Sequence, residues 1–502
     1  MRAPPRYANE PLAITLREAK PPLVLAIDIG TSGLRTFLFD LRGKPVGSAI
    51  ARRDRGPRTG ADGEVTVDAD ERVRATADAI DETLAAAGRR ATEIAAVATS
   101  TFWHSLMGVD ARGRPTTRVL TWADTRARAA AAALRTELDP RATHARTGCV
   151  FHASYWPAKL RYLKESDRDA YARTAKWLSL GEYLYFRLLS GTRAAHGMAS
   201  ATGLYDQARR TWDEPLLRHL DLRPAALSQI TDEPQQGLRP GFARRWPALA
   251  RIPWVPAIGD GACSNLGAGV ITRDRAALFL GTSGALRVLY PTDDPPLVEA
   301  GWTYRLDARR VVAGGALSNG GNVVAWLAQT FPQVDPATLW RPSRPTDLVA
   351  LPLLAGDRSP TWNDGARGAV AGLGLTTTAE DIARAMLEGI AFRAARLWRV
   401  VDAALPGIAT IVATGGTLLR LPWLMQLFAD ALGKPVVMSG AGEGSARGAA
   451  IAALERVGIV PTIAAVRAPL GRTFRPDPIA HARLTEGLAR QQALEDALAL
   501  MR

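Results

Sequence analysis

Cysteine is scarce in this sequence, and long apolar segments are missing from it. The 502 residues include two cysteines, Cys149 and Cys263, too few for a disulfide framework or a four-cysteine zinc site. No apolar run reaches the roughly 18 residues of a transmembrane helix, and residues 1–22 carry charges and prolines where a signal peptide has an apolar core. These features predict a cytoplasmic protein without a membrane partner.

Lysine is also rare, although the formal net charge is +14. Six of the 63 basic residues are lysines, and the arginines are scattered along the chain. A nucleic-acid-binding protein would concentrate its positive charge against phosphates and carry a recognisable motif. The sequence therefore predicts no nucleic-acid partner, and an arginine-rich composition accounts for the charge.

One segment of the sequence occurs twice. Residues 26–39 read AIDIGTSGLRTFLF and residues 277–290 read ALFLGTSGALRVLY. The copies are half the chain apart, which favours two related domains over a short solenoid repeat, whose period is roughly 20–50 residues. The length of 502 residues allows two or more such domains.

Each copy has the pattern of a β-hairpin. Apolar strands, Leu23–Ile29 and Leu34–Phe39 in the first copy, flank a Gly-Thr-Ser-Gly turn, where glycine would supply a positive φ. Backbone N–H groups and hydroxyls gathered in such a turn suit a phosphate oxygen. Asp28 lies just before the first turn, where a carboxylate could hold Mg²⁺ near phosphates. An isolated copy would be read as an ordinary hairpin, and the duplication favours phosphate binding.

An aspartate between two glycines precedes the second copy. The apolar run Ile252–Ile258 predicts a strand, and Gly259-Asp260-Gly261 follows it. Glycines at this point would let the backbone turn sharply and expose the Asp260 carboxylate to a cleft, as a general base requires. Most isolated Gly-Asp-Gly segments are simple turns, so the interpretation depends on the neighbouring phosphate loop.

The C-terminal half contains a predicted βαβ unit. Ile408–Ala413 reads as a strand, Thr414-Gly-Gly416 as a tight turn, Leu421–Leu432 as a helix closed by Gly433, and Pro435–Met438 as a second strand. Such a unit implies a parallel sheet with a ligand at the carboxyl ends of its strands. Upstream, Thr378 to Asp381 is a capping box, and the glycine-rich residues 440–450 are typical of a closely packed helix.

These motifs together resemble the FGGY family of carbohydrate kinases. The similarity runs from about residue 23 to about residue 458 and includes the two turns, Trp122-Ala-Asp-Thr-Arg126, Gly259-Asp-Gly261, Ser318-Asn-Gly-Gly-Asn322, Glu388-Gly389 and Thr414-Gly-Gly416 in the family's order. A Rossmann dehydrogenase and a P-loop kinase are excluded, because neither Gly-x-Gly-x-x-Gly after the first strand nor Gly-x-x-x-x-Gly-Lys-Ser/Thr occurs.

The resemblance implies an α/β fold of two duplicated actin-like, ribonuclease-H-like domains, with ATP, Mg²⁺ and a sugar meeting in the cleft between them. We expect a flexible N-terminal extension over residues 1–22, an N-terminal domain over 23–256 and a C-terminal domain over 257–502. The resemblance also implies that Asp260 is the catalytic base and that Asp28 holds Mg²⁺. The implied nucleotide contacts are Asp28, Thr31, Ser32, Arg35, Gly281, Thr282, Gly415 and Gly416.

The same resemblance implies a sugar site at residues 100–104 and 122–126. Its expected substrate contacts are His104, Trp122, Asp124 and Arg126. The motifs are most similar to the gluconate-kinase branch, in which the product is 6-phosphogluconate, and an anionic substrate would give Arg126 or Arg358 a carboxylate to pair with.

Two segments depart from the gluconate-kinase pattern. Phe151–Pro157 replaces a His-Pro-Met stretch, and Gly356-Asp-Arg358 replaces Gly-Glu-Arg. Xylulose, ribulose or another polyol therefore remains a possible substrate. A homodimer is also possible. An actin-like protein that uses ATP to switch partners is the non-enzymatic alternative, although it would need neither a base at Asp260 nor a sugar-lining Trp122.

Overall fold

The computed structural model describes residues 13–336, 339 and 347–500. The N-terminal half contains β1 (Leu23–Ile29), β2 (Gly33–Phe39), β3 (Pro45–Asp54), β4 (Arg58–Thr59), β5 (Val65–Val67), α1 (Ala69–Ala87), β6 (Ile94–Thr101), β7 (Met107–Val109), β8 (Val119–Leu120), α2 (Arg128–Glu137), α3 (Pro140–Thr147), α4 (Trp156–Ser166), α5 (Arg168–Arg173), β9 (Lys176–Leu178), α6 (Leu180–Leu188), β10 (Arg193–Ala194), α7 (His196–Ala199), β11 (Tyr205–Asp206), β12 (Thr211–Trp212), α8 (Glu214–His219), β13 (Gln229–Ile230), α9 (Pro240–Arg245), β14 (Ile258–Gly259) and α10 (Asp260–Gly267).

The C-terminal half alternates strands and helices in the same way. It contains β15 (Arg275–Leu280), β16 (Gly284–Pro291), β17 (Trp302–Arg305), β18 (Arg310–Leu317), α11 (Gly321–Thr330), β19 (Val349–Leu351), β20 (Ala369–Ala371), α12 (Ala379–Ala404), β21 (Thr410–Thr414), α13 (Gly416–Arg420), α14 (Trp423–Leu432), β22 (Val436–Ser439), α15 (Gly444–Arg456), β23 (Leu470–Phe474) and α16 (Pro478–Leu500).

The main sheet of the N-terminal half has the strand order β14-β6-β1-β2-β3. Strands β1, β2 and β3 are successively antiparallel, and β6 and β14 continue from β1 in parallel. Every residue of β1 is buried, because helices cover both faces of this central strand.

The main sheet of the C-terminal half repeats this arrangement. Its order is β17-β18-β16-β15-β21-β22-β23, with β15, β16 and β18 successively antiparallel and β21 and β22 continuing from β15 in parallel. The segment β18-β16-β15-β21-β22 therefore matches β3-β2-β1-β6-β14 in order and direction. The prediction of two duplicated α/β domains is confirmed.

Helices α10 and α15 lie between the two sheets, where α15 packs on β1 and β6 and α10 packs on β16. The two helices touch through backbone: a Cβ on Gly448 would lie 1.8 Å from the Cys263 carbonyl oxygen, and one on Gly267 would lie 1.9 Å from that of Gly444. Only glycine fits at such distances. The predicted close packing of the glycine-rich residues 440–450 is thus confirmed, and the two halves share one core here.

The start of the described chain is attached to the N-terminal sheet. The Ile14 N–H donates to the Pro45 carbonyl, the Gly47 N–H donates to the Ile14 carbonyl, and Ala19 is buried. Residues 13–22 are therefore not the flexible tail that the sequence predicted, while residues 1–12 of that extension lie outside the described residues.

The predicted boundary between residues 256 and 257 falls just before a strand of the N-terminal sheet. Ile258–Gly259 pairs in parallel with β6, and α10 follows without a break. We therefore propose that the division between the domains lies after α10 rather than before β14.

Local predictions for the C-terminal half agree well with the structure. Thr378 and Asp381 form the reciprocal capping box at the start of α12, and Gly433 ends α14 with a φ of 63°.

In the N-terminal half, the predicted strand over residues 252–258 is wrong in extent, since only Ile258–Gly259 is a strand and Trp254 makes isolated bridges. Pro253 and Pro256 lack the N–H groups that a continuous ladder needs.

None of the helices in the described parts of the chain has the length and apolar character needed to cross a membrane.

Candidate active site

A cavity of about 160 Å³ lies between the two domains. Its aromatic wall combines residues from both halves of the chain: Trp103, Trp122, Tyr155, Trp302, Tyr304 and Trp362. Its polar and charged lining consists of His104, Ser154, Asp260, Ser264, Ser283, Arg287, Arg358 and Ser445. Ring faces for C–H groups and polar groups for hydroxyls are what a small polyhydroxylated ligand requires.

Asp260 is placed by the junction of β14 and α10. It is the first residue of α10, and its Oδ1 accepts a hydrogen bond from the Gly261 N–H at 2.7 Å. Burial raises the pKa of its carboxyl to about 6, with the charge of Asp28 adding to the rise and the Arg287 guanidinium opposing it. A carboxylate with a pKa close to neutrality is suited to accept a proton from a substrate hydroxyl.

The glycines beside Asp260 are required by packing rather than by a sharp turn. Gly259 has an ordinary φ of −67°, but a Cβ there would lie 1.6 Å from Nε1 of Trp103. A Cβ on Gly261 would lie 2.2 Å from both the Trp103 ring and Nη1 of Arg287. The Trp103 indole and the Arg287 guanidinium therefore pack directly on the glycine backbone beside Asp260, where a larger residue would displace them.

Replacing Gly259 with alanine is expected to displace Trp103 and to lower the free energy of unfolding by about 2 kcal/mol, the usual cost of overpacking a core. Urea denaturation measures this. The matched control is Gly241→Ala in α9, where a Cβ would meet nothing within 4 Å and where alanine favours the helix. Equal stability of Gly259→Ala and wild type would contradict the close contact with Trp103.

His104 faces the cavity as a neutral imidazole. Burial lowers its pKa to about 3, and Nδ1 lies 2.6 Å from the Ala201 carbonyl oxygen, so Nδ1 carries the proton and donates. Nε2 is left as an acceptor for a substrate hydroxyl. The φ of His104 is 64°, a conformation that costs energy for a residue other than glycine and occurs preferentially at functional sites.

Trp122 connects this cavity to the Gly30–Gly33 turn, which is predicted to bind phosphate and is called the first phosphate loop below. Its Nε1–H donates to Oγ1 of Thr31 at 3.0 Å, and the Arg358 guanidinium carbon lies 5.0 Å from its ring centroid. The indole thus contacts the loop predicted to bind phosphate and lines the cavity predicted to bind sugar.

Asp124 and Arg126 are engaged with each other rather than with the cavity. Arg126 Nη2 lies 2.7 Å from Oδ2 of Asp124, and the Val65 N–H also donates to that carboxylate. Neither side chain lines the cavity. The expected direct contact with substrate is therefore not supported by their positions, which suit the support of the segment that carries Trp122.

Two arginines bring positive charge into the cavity. Arg358 Nη2 donates to the Leu317 carbonyl at 2.9 Å, and burial lowers the pKa of Arg358 and that of Arg287, the latter to about 10. Within the described residues, Nε of each guanidinium is buried and has no hydrogen-bond partner. Both arginine side chains line the cavity, so their positive charge is available to an anionic ligand.

The two departures from the gluconate-kinase pattern fall largely outside the cavity. Asp357 turns away from it and pairs with Arg393 and Thr361, so only Arg358 of that segment reaches the cavity. In the other segment Ser154 and Tyr155 line the cavity, whereas His152 binds Asp364 at 2.8 Å.

The first phosphate loop joins β1 to β2. Gly30 N–H donates to the Gly33 carbonyl, and a Cβ on Gly33 would lie 2.7 Å from the Arg53 carbonyl oxygen. Neither glycine has a positive φ, so the prediction of that backbone conformation is wrong and close packing explains Gly33. Thr31 and Ser32 form the tip of the loop, with Ser32 exposed.

Arg35 and Asp28 lie on the paired strands below this loop. Arg35 Nη2 is 2.7 Å from Oδ2 of Asp28, and its Nη1 is 2.6 Å from Oε2 of Glu443. The described residues contain no cluster of three or more histidine, cysteine or carboxylate groups that could hold a metal alone. Mg²⁺ commonly uses one or two carboxylates together with substrate phosphates. The buried carboxylate of Asp28, which lies close enough to Asp260 for their charges to interact, therefore fits the predicted role of holding Mg²⁺.

The Gly281–Gly284 turn, predicted to bind phosphate and called the second phosphate loop, lies against the Thr414-Gly-Gly416 turn of the βαβ unit. The Gly281 carbonyl accepts hydrogen bonds from the Gly321 N–H and from Oγ1 of Thr417, and the Thr282 carbonyl accepts one from the Asn322 N–H. Gly415 has a φ of 105°, and its Cβ would lie 2.4 Å from the Leu280 carbonyl oxygen. The predicted residues Gly281, Thr282, Gly415 and Gly416 thus lie together at the carboxyl ends of β15 and β21.

Several residues of the cavity were missed in the sequence. Arg287 follows the second Gly-Thr-Ser-Gly turn as Arg35 follows the first, and that repeated arginine was the available signal. Trp103 and Tyr155 lie within segments that the sequence singled out, whereas Trp302 and Tyr304 carried no periodic or motif signal that would distinguish them from core residues. Outside the cavity, Glu443 lies in the glycine-rich residues 440–450, whose pattern predicted helix packing and not a contact with Arg35.

Known protein families match nearly the whole length of the chain. The N-terminal domain of the FGGY family of carbohydrate kinases matches residues 23–267, and the C-terminal domain of that family matches residues 276–455. The first match ends with α10, in agreement with the proposed domain division.

Individual relatives are similar across both domains. The gluconokinase of Bacillus subtilis is 30% identical over 408 residues, which cover 77% of this chain and 79% of that protein. The structure of ligand-bound xylulose kinase from Lactobacillus acidophilus superposes with a TM-score of 0.87 at 25% identity, covering 95% of this chain and 98% of the other. Gluconate kinase from Lactobacillus acidophilus gives a TM-score of 0.84 at 24% identity, with the same coverages of 95% and 98%.

Proposed function

Because this chain belongs to the FGGY family of carbohydrate kinases, we propose that it transfers the γ-phosphate of ATP to a hydroxyl of a small sugar acid, D-gluconate, to form 6-phosphogluconate. The choice of an acid rests on the pair of guanidinium groups, Arg287 and Arg358, that line the cavity together with Asp260. Guanidinium groups match a carboxylate in shape and charge. The similarity to the Bacillus subtilis gluconokinase supports the same substrate.

Different side chains of the cavity bind the substrate and accept its proton. Nε2 of His104 accepts a hydrogen bond from a sugar hydroxyl, and the indole of Trp122 packs against the C–H groups of the substrate. Arg358 holds the carboxylate. Asp260 accepts the proton of the hydroxyl that attacks the γ-phosphate, a step that contributes typically 10²–10⁴-fold to the rate.

The two Gly-Thr-Ser-Gly loops hold the phosphates of the nucleotide in this proposal. We place the γ-phosphate at Thr31, Ser32 and Arg35 and the inner phosphates at Thr282, with Gly415 and Gly416 giving the nucleotide close access to the backbone. Asp28 would hold Mg²⁺, whose charge stabilises the transferring phosphoryl group. Closure of the two domains around the substrates would exclude water and so limit hydrolysis of ATP.

The rate should depend on the ionisation of Asp260. Because a general base acts only as the carboxylate and burial raises the pKa of Asp260 to about 6, kcat/KM should rise with pH up to about 6 and level off above it. Below that value it should fall about tenfold per pH unit. A pH profile of kcat/KM for gluconate tests this, and a profile that stays flat through about pH 6 would contradict the assignment of the base.

A panel of acceptors tests the proposed substrate. ADP release is measured with ATP, Mg²⁺ and each of gluconate, xylulose, ribulose and glycerol, and gluconate is expected to give the highest kcat/KM. A clear preference for xylulose or ribulose would retain the kinase and replace its substrate. ATP binding without stimulation by any acceptor would favour the actin-like switch.

A further inference from the structure

Glu443 brings a second carboxylate to the arginine of the first phosphate loop. Oε2 of Glu443 lies 2.6 Å from Nη1 of Arg35, while Oδ2 of Asp28 lies 2.7 Å from Nη2 of the same guanidinium. The other oxygen of Glu443 is 3.1 Å from Nη2 of Arg52. Arg35 is thus divided between the carboxylate proposed to hold Mg²⁺ and a carboxylate from the far end of the chain.

The backbone at Glu443 adopts a conformation that is unfavourable for a glutamate. Glu443 has a φ of 51°, a left-handed conformation that favours glycine, and glycines stand on both sides of it at 442 and 444. A glutamate held in this region when glycine would fit more easily indicates a role for its side chain.

The position of Glu443 is fixed relative to Asp260. Glu443 precedes the first turn of α15, where Ser445 Oγ donates to the Asp260 carbonyl at 3.4 Å. That turn packs backbone to backbone against α10, with Gly267 facing Gly444. This packing joins the helix that begins at Asp260 to the helix that follows Glu443.

We propose that Glu443 is a positioning residue that holds Arg35 away from full pairing with Asp28 and so keeps Asp28 available to the divalent cation. This inference rests on the proposed function, in which Asp28 holds Mg²⁺ beside the γ-phosphate. Without the Glu443 carboxylate, Arg35 turns both arms of its guanidinium to Asp28, and the site loses one negative charge. Both effects weaken the binding of a divalent cation.

Glu443→Gln tests the proposal by a binding measurement. Calorimetry gives the dissociation constant of the non-hydrolysable ATP analogue AMP-PNP with and without MnCl₂. The metal-free dissociation constant divided by the one measured with MnCl₂ reports the coupling between metal and nucleotide. We expect the variant to reduce this ratio about tenfold, the lower range for removal of a side chain that orients a metal ligand. The metal-free affinity for AMP-PNP should not weaken, because the site has lost a negative charge.

Two further variants control for folding and for charge. Glu82→Gln makes the same chemical change at a surface ion pair with Arg53 of β3, 2.9 Å long, and should leave the ratio unchanged. Arg52→Gln leaves the Glu443–Arg35 contact intact and removes a positive charge, so the ratio should equal or exceed that of wild type.

The possible outcomes distinguish a failure of the proposed function from a failure of the role of Glu443. A wild-type protein that does not bind AMP-PNP overturns the proposed function together with this inference. Metal-coupled binding that is as strong in Glu443→Gln as in Glu82→Gln overturns the role of Glu443 alone, as does an Arg52→Gln variant that loses the coupling.

Discussion

Asp260→Asn is expected to lower kcat for gluconate phosphorylation by about 10²–10⁴-fold, the range that a positioned general base contributes. The amide matches the carboxylate in size and can still accept the Gly261 N–H through its carbonyl oxygen, but it cannot take up the hydroxyl proton. The KM for gluconate and the affinity for ATP should change little, since the sugar and phosphate contacts lie on other residues. Steady-state kinetics together with calorimetric titration of ATP measure both parts.

The control is Asp139→Asn, the same substitution at the exposed N-cap of α3, where asparagine caps a helix as well as aspartate does. It should retain the full rate. If Asp260→Asn kept its rate within a few-fold of wild type while it remained folded, Asp260 would not be the base.

Arg358→Met is expected to lower kcat/KM for gluconate by about 10²-fold, because truncating one partner of a buried charge pair costs at least about 2–5 kcal/mol. Methionine keeps an unbranched apolar stem against the Trp122 ring while removing the charge. Glucitol differs from gluconate by a neutral CH₂OH group in place of the carboxylate, so its binding should change much less. Inhibition constants for glucitol beside kinetic constants for gluconate give the comparison.

Arg126→Met distinguishes the two arginines that the sequence offered for the carboxylate. Arg126 pairs with the buried Asp124 and does not line the cavity, so its loss should weaken gluconate and glucitol binding equally. Selective loss of gluconate in Arg126→Met, with Arg358→Met unaffected, would reverse the assignment.

The fold could be predicted because its signals are local and occur twice. The apolar strands around each Gly-Thr-Ser-Gly turn became β1, β2, β15 and β16, and the capping box at Thr378 and the glycine at 433 formed where the pattern placed them. The strand expected over residues 252–258 was wrong in extent because its prolines interrupt the ladder, and the predicted domain boundary was placed near the end of that segment. Pairing between distant strands decides where such a segment belongs, and no local pattern records it.

The site could be predicted where chemistry sits inside a motif. Asp260, His104 and Trp122 meet at one cavity, whereas Asp124 and Arg126 satisfy each other, which spacing alone does not show. Glu443 reaches Arg35 from 408 residues away, and Arg287 reaches the cavity because Gly261 has no side chain. Contacts of this kind arise from packing between the two domains and are invisible until the domains are assembled.

Phosphorus NMR of the complete reaction shows directly whether the γ-phosphate of ATP is transferred to gluconate. The protein is mixed with ATP, Mg²⁺ and D-gluconate. A phosphomonoester coupled to the C6 protons of gluconate should appear in equal amount to ADP, and Asp260→Asn should form it far more slowly. Release of inorganic phosphate in place of the ester, or unchanged ATP in the presence of gluconate, would contradict this transfer.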